Sequence, residues 1–356
     1  MIYFMVPYPL GNAASQRFRF EQYFEAMREE GIHFEIHPFW SAAGWKVLYQ
    51  PGQMLRKTFY LLGGIISRWH LAFKMKPSDT IFVHREIYPT GTGFLIWFLS
   101  RIKKVRLIYD FDDAIWLPNY AATNKRFAFI KSYHQVQKLI KAASIVSVGN
   151  DYLKQYAKQY NANVVVNPTT IDTDRHHNQI KSYAIDNKLV IGWTGTHSTL
   201  KYLTDLLPIF DELVAGSAAI ELLIISDLEP EFKRPYLNFV PWKKETEIED
   251  LLKMDVGIMP LVDDQWSRGK CGFKALQYMS LGIPAIVSPV GVNLSIVVHE
   301  ENGWVCDTPV QWKEVLEAIL TNPTQLALRS KSARETIVAK YSVKSNRTLF
   351  LGLFKS

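Results

Sequence analysis

The chain is poor in cysteine: Cys271 and Cys306 are the only two among 356 residues, with no CxxC pair and no Cys/His cluster. That excludes a disulfide scaffold and a thiolate zinc site, and makes a reducing compartment the expectation. Long apolar runs are also missing. The longest, Phe59–Ser67 and Gly91–Leu99, fall short of the roughly 20 residues a membrane-spanning helix requires. The opening Met1–Pro7 has neither a basic n-region nor a small-residue cleavage site, so no signal peptide is expected. No GxGxxG follows the first strand and no GxxxxGK[ST] loop occurs, which leaves a dinucleotide cofactor unsupported. What is present is globular: 48% hydrophobic and 21% charged, without low-complexity tracts and long enough for two domains.

The formal net charge of +7 is unevenly placed. Met1–Asp172 carries 21 Lys+Arg against 12 Asp+Glu, whereas Thr173–Ser356 carries 20 against 22. A basic first half beside a near-neutral second half points to an anionic partner for the first: a membrane surface or a phosphate-bearing acceptor. No nucleic-acid-reading motif accompanies the charge, so nucleic acid is not expected.

Short β-branched runs alternate with helix-length periodic segments, the pattern of parallel sheets with crossover helices. Strands are expected at Ile2–Pro7, Ile32–His37, Thr80–Arg85, Arg106–Phe111, Ile145–Val148 and Asn163–Val166, with helices over 15–30, 93–102, 126–142 and 151–160. Trp40–Lys76 is expected to be helical. Asn167–Asn187, polar and carrying Pro168, breaks the rhythm. Beyond it the pattern restarts: strands at Leu189–Thr194, Glu221–Ser226, Asn238–Val240, Val256–Met259 and Ala285–Ser288, with helices over Thr199–Val214 and Lys270–Leu281 among others. The expected division is 1–172, a linker at 173–188 and a second unit at 189–340, with 341–356 packing back on the first. The fold class is α/β: two doubly wound Rossmann-like domains facing a central cleft.

Four segments carry chemistry. The turn Tyr8–Ser15 contains Gly11 and Asn12, whose backbone can approach an anion closely. Asp110, Asp112 and Asp113 crowd the end of an apolar strand, and their repulsion calls for a cation or a polar ligand. Alternation would put Asp110 and Asp112 on one side and Asp113 on the other, if strand geometry persists. Gly195-Thr196-His197-Ser198 followed by Lys201 offers free N–H groups, hydroxyls and a cation, a phosphate cradle. Arg268, Lys270 and Lys274 surround a glycine-bearing turn, and Lys270, Lys274 and Gln277 stand at i, i+4 and i+7, one stripe if helical.

The stretch Lys274-Ala275-Leu276-Gln277-Tyr278-Met279-Ser280-Leu281-Gly282-Ile283-Pro284 resembles the donor-site helix and strand of family 4 GT-B glycosyltransferases. Asn302-Gly303-Trp304 and Asn167-Pro168 through Asp172 are similar to further elements of that family. The resemblance implies retaining transfer from a nucleoside-diphosphate sugar, the leaving phosphate taking the acceptor's proton; with side-chain cations in place of a catalytic metal, no metal or cofactor is expected. The family's Glu-x7-Glu pair falls on Gly269 and Gln277, and its Arg-then-Lys phosphate pair on Thr196 and Lys201. The Arg is therefore missing, and Arg268 or Lys270 are the candidates to replace its charge, so that Gly195, Thr196, Lys201, Arg268 and Lys270 are expected at the donor phosphates. Lys274, Gln277, Val240 and Trp242 are assigned to ribose and base. Asp112 would face the sugar or acceptor hydroxyl, with Asp113 holding the loop.

The basic-aromatic stretches Arg68-Trp69-His70 and Trp97 to Arg106 suit a lipid-linked glycan acceptor used in surface polysaccharide assembly. The expected location is cytoplasmic, with peripheral contact on an anionic membrane. The alternatives are another sugar-nucleotide enzyme such as a UDP-GlcNAc 2-epimerase, or a catalytically silent sugar-nucleotide-binding subunit.

Overall fold

The computed structural model describes residues 1–48, 50–91, 93–118, 134–183, 188–216 and 218–355. Among them twelve strands form two six-stranded sheets, each parallel throughout. The chain divides into one unit of Met1–Thr169 with Arg347–Ser356, and a second of Thr170–Asn346.

In the first unit the strands are β1 Ile2–Val6, β2 Phe34–Pro38, β3 Thr80–His84, β4 Arg106–Phe111, β5 Ile145–Val148 and β6 Val164–Val166. Their order, β2-β1-β3-β4-β5-β6, reverses between β1 and β3. The central strands are apolar runs buried on both faces, as a sheet covered by helices on each side requires. The ring of Phe4 meets Phe20, Phe24 and Phe82. Tyr23 stacks on Phe350 at 4.2 Å, and Phe354 approaches Phe4 at 5.8 Å. This aromatic core holds residues 347–356 in the first unit, while 341–346 stay with the second.

The continuous helix expected over 15–30 is broken into Ala14–Arg17, a 3-10 turn Glu21–Tyr23 and Phe24–Glu29. Three polar side chains explain the break, for Gln16, Arg19 and Glu21 all turn inward to partners near the strand ends. The Trp40–Lys76 region contains helices Ala42–Leu48 and Met54–Lys74. Within the second, Gly64 lies so close to Phe39 that a Cβ would come within 2.7 Å of its ring. Arg68, part of the basic-aromatic stretch expected to suit the acceptor, is buried. It donates to the carbonyls of Val6, His37 and Ile87 at 2.8, 2.6 and 3.1 Å, tying this helix to the strand ends. Of the helix expected over 126–142, His134–Ala142 is seen, and the remainder lies outside the described residues.

The second unit has β7 Leu189–Gly195, β8 Ile220–Ser226, β9 Leu237–Pro241, β10 Val256–Met259, β11 Ala285–Val287 and β12 Gly303–Val305. The order β12-β11-β10-β7-β8-β9 reverses between β7 and β10. In such sheets ligands bind beyond the carboxyl ends of the strands at that reversal. Pro208 interrupts the helix expected over Thr199–Val214, which resolves into Lys201–Thr204 and Leu207–Ala215. The polar segment expected to be a linker is instead part of this unit as far as it is described. Ile171 bridges to Ser342, and Arg334 donates to the carbonyls of Thr173 and His177. Its shortage of apolar residues reflects anchoring by polar contacts.

Candidate functional site

At the reversal in the second unit, β7 ends on Gly195. A Cβ there would lie 2.7 Å from the Trp193 ring and 2.8 Å from Lys274 Cε, so glycine is required for the close approach. Lys274 stands in the first turn of the Phe273–Ser280 helix, and its ammonium sits 5.4 Å from the Trp193 ring centroid. A cation at a helix N-terminus, laid across a bare glycine, is a favourable setting for a phosphate oxygen. Tyr278 fixes the geometry from below: its hydroxyl accepts from the Thr194 amide at 2.9 Å.

Lys270 is not on that helix. Helix Gln265–Arg268 ends, and Gly272 at φ +68° turns the chain before the next helix begins, so Lys270 belongs to the connecting turn. The stripe of Lys270, Lys274 and Gln277 therefore does not form, because a left-handed residue breaks the helical phase. Lys270 rests 5.9 Å from the Trp266 ring. Arg268 pairs with Asp263 through two bonds of 2.6 and 2.8 Å, which answers its charge within the protein. Lys201 is exposed beside Tyr202, whose hydroxyl lies 3.3 Å from that of Ser267. That contact joins the short helix that follows β7 to the short helix that follows β10. Thr196 Oγ1 meets Ser198 Oγ at 2.9 Å, and the amide and ring of His197 both bond Asp227, at the end of β8. Burial opposes ionisation of Asp227, but the His197 bonds outweigh it and hold the carboxyl below its ordinary value.

Gln277 is buried and donates to Glu247 Oε1 at 3.4 Å; Trp242 Nε1 donates to the same oxygen at 3.2 Å. The backbone amide of Trp242 continues the edge of the sheet by bonding Ser226. Glu247 thus gathers two of the residues assigned to ribose and base, while Val240 lies half-buried on β9. Sequence reasoning missed Glu247; the signal was the acidic run Glu245, Glu247, Glu249, Asp250 just after Trp242.

In the first unit, β4 ends at Phe111, so strand alternation does not reach the carboxylates beyond it. Asp112 and Asp113 converge on one cation instead: Arg85 Nε donates to Asp112 Oδ1 at 2.8 Å, and its Nη2 to Asp113 Oδ2 at 2.5 Å. Burial works against the Arg85 charge, but the two carboxylates outweigh it and raise its pKa. Arg85 itself sits at φ +59°, an uncommon conformation for a side-chain-bearing residue. Both of its backbone groups are held: the amide donates to Asp110 O, and the carbonyl accepts from Tyr109 Oη, each at 2.8 Å. Strain fixed from both sides is a mark of functional sites.

Asp110 points the other way, into the interior. Its carboxylate accepts from Arg19, from Ser147 at 2.6 Å and from His84 Nδ1 at 2.8 Å, all of these groups being buried. Burial pushes the carboxyl up, but Arg19 and His84 outweigh it and leave it well below the usual range. An ionised carboxylate only accepts, so the His84 proton sits on Nδ1, and Nε2 is buried without a partner among the described residues. Gly11 takes φ +77°, yet its amide already donates to Glu21 at 2.8 Å, and Gln16 clasps Tyr8 from both sides. The loop therefore carries an internal anion where a bare Gly11 amide was expected, and the Asn12 side-chain Nδ2 donates to the carbonyls of Pro9 and Leu10. Arg85, His84 and Arg19 were not singled out from the sequence. The signal for the first two was their place at the end of β3, beside the strand reversal.

Comparison with known proteins bears on the fold and on the second unit. Residues 188–322 match the family model for glycosyl transferases group 1. No curated protein sequence matches the chain. Sucrose-phosphate synthase from Thermosynechococcus elongatus has the same fold, with a TM-score of 0.73 at 13% identity, over 99% of this chain and 98% of that one. A glycosyltransferase from Rickettsia africae superposes with a TM-score of 0.67 at 9% identity, over 100% and 98%. Anabaena HepE, solved in complex with UDP and glucose, gives 0.65 at 14% identity, over 100% and 99%. Two doubly wound parallel sheets in succession define the GT-B fold. With the group 1 match over residues 188–322, within the second unit, the chain is a glycosyltransferase of that fold.

Proposed function

We propose that this enzyme moves a sugar from a nucleoside-diphosphate sugar to a membrane-associated or lipid-linked glycan acceptor, with retention at the anomeric carbon, in surface polysaccharide assembly. The observation that carries the donor half is Lys274 lying across Gly195 at the strand reversal of the second unit. The complexes of HepE with UDP and with UDP-glucose support a sugar nucleotide as donor.

In this reading Lys274, Lys270 and Lys201 draw charge from the departing diphosphate, the step at which preorganised cations contribute most. Asp112 positions the acceptor hydroxyl and Asp113 shares the Arg85 clamp. The leaving diphosphate takes the acceptor proton, so no protein nucleophile is used. Because side chains supply the positive charge, transfer is proposed to need no metal ion.

The test is a panel of UDP-, GDP- and TDP-sugars, followed for hydrolysis and transfer with and without a chelator. One donor should react in chelator, giving product with the donor's anomeric configuration. Lys274→Ala and Lys270→Ala should weaken nucleotide binding, and Asp112→Ala should lower turnover with less effect on binding. An inverted product, or loss of activity in chelator, would overturn the corresponding part of the proposal.

A further inference from the structure

The Met54–Lys74 helix has a second apolar face that the first unit does not use. Its buried side runs through Gly64, Arg68 and Leu71. On the other side Leu55, Phe59, Leu62, Ile66 and Phe73 are 90%, 71%, 53%, 68% and 62% exposed. Their spacing is i, i+4, i+7, i+11 and i+18. At about 100° per residue they fall within a sector of roughly 60°, half a turn away from Gly64. Core packing cannot account for a stripe directly opposite the core.

The stripe continues onto a second element. Trp69 meets Phe73, Phe94 and Phe98 at ring distances of 5.6–5.8 Å, and Phe94 stacks on Trp97 at 5.0 Å. Phe94 and Trp97 are themselves exposed. An apolar surface of this extent marks an interaction site.

Charge decides the partner. From Ile36 to Tyr109 there are eleven Lys and Arg but only two acids, Asp79 and Glu86, and Asp79 is buried. Arg56 and Lys74 flank the stripe at its two ends, and Arg101 and Lys104 are exposed in the segment that follows Trp97. A second copy docked by two-fold symmetry would set this predominantly basic segment against itself and bring like charges together. An anionic bilayer answers both features at once: the stripe enters the acyl boundary while the cations meet headgroups. No helix among the described residues is long and apolar enough to cross a membrane, so this helix would lie in the interface plane.

We infer that the outer face of the Met54–Lys74 helix, extended by Phe94 and Trp97, is a docking surface for anionic lipid bilayers. The inference deepens the proposed function and rests on it for the acceptor's location; the surface itself is argued from these residues alone.

The experiment is co-sedimentation of the full chain with vesicles of phosphatidylcholine, alone or mixed with phosphatidylglycerol. The wild-type protein should bind the anionic vesicles at least tenfold more tightly than the neutral ones. Phe59→Glu combined with Ile66→Glu should lose at least tenfold of that binding while keeping its melting temperature. Arg56→Glu with Lys74→Glu should abolish the preference for anionic lipid. Binding by the Phe59/Ile66 variant equal to wild type would overturn the inference. So would a wild-type dimer that the same variant dissolves, which would assign the stripe to a second copy. Sugar-nucleotide binding is measured in parallel. Its absence with vesicle binding intact counts against the proposed function alone, and the reverse counts against this surface alone.

Discussion

Arg85 donates through Nε to Asp112 across 2.8 Å from a backbone held at φ +59°. The left-handed conformation costs on the order of 1–3 kcal/mol and persists only where neighbours hold it. Asp110 O and Tyr109 Oη do so here. Asp112 and Asp113 are therefore oriented by a residue that the fold itself constrains. Asp112→Asn keeps the shape and removes the charge; turnover should fall at least tenfold with little change in donor KM. Arg85→Lys, a point charge in place of a planar fork, should also lower turnover, because one ammonium cannot hold both carboxylates in the same geometry. Steady-state kinetics beside thermal melts separates these effects from misfolding. Wild-type turnover in both variants would remove Asp112 from the mechanism.

The buried Asp110 makes stability depend on pH in a definite direction. Its folded-state carboxyl is held well below the ordinary value of 3.8. Its contribution is complete above that value and is lost as pH falls through 3.8 toward the folded value, since the unfolded chain takes up the proton first. Asp110→Asn should flatten this acid limb. It should also cost about 3–5 kcal/mol at neutral pH, because Arg19 is left charged and buried. Denaturant melts at several pH values check both; an unchanged acid limb in the variant would place the dependence elsewhere.

Much of the fold was legible because parallel strands buried on both faces leave near-continuous apolar runs, as Ile81–Val83 and Leu222–Ile225 do. Local breaks were not, and each has a polar or backbone cause lying far off in sequence. Arg19 leaves the expected helix to reach Asp110, 91 residues away. Gly272 is a glycine like its neighbour Gly269, and only its φ of +68° shows that Lys270 and Lys274 are out of helical phase. The carboxylates beyond β4 were visible as a cluster, but Arg85, which gathers them, is 27 residues from Asp112 and conspicuous only once β3 and β4 pair. The apolar stripe at 55–73 was hidden for a different reason: hydrophobic spacing alone does not say which face of a helix meets the core.

Gly195 tests the donor side. Alanine there would place a methyl group 2.7 Å from the Trp193 ring, which is almost fully buried, and 2.8 Å from Lys274 Cε. The lysine can move and the indole cannot, so Lys274 should be displaced. Overpacking of this kind costs about 1–3 kcal/mol. Gly195→Ala should lower the melting temperature modestly and weaken nucleotide binding as much as Lys274→Ala does, with no further loss in the double variant. Calorimetric titration of the three proteins settles it; independent, additive losses would show that glycine and lysine do not act together.

Gln277 stands where the resembled family carries its second Glu, and the structure gives a reason for the amide. Its Nε2 donates to Glu247 Oε1 at 3.4 Å, and Trp242 donates to the same buried oxygen. Gln277→Glu would replace a donor by a second acceptor and set two carboxylates side by side in the interior, where both cannot stay ionised. One carboxyl pKa must rise in the folded state, so the variant should be destabilised by about 1–3 kcal/mol at neutral pH, the cost of buried acceptors left unsatisfied. The loss should shrink as pH falls and that carboxyl takes up its proton. Adding Glu247→Gln restores one donor and one acceptor with their positions exchanged. The double variant should recover most of the lost stability even though Glu247→Gln alone gains none, a coupling that a double-mutant cycle by urea denaturation measures directly. If the two substitutions instead add independently, Gln277 is not specified by Glu247, and the departure from the family at this position needs another cause.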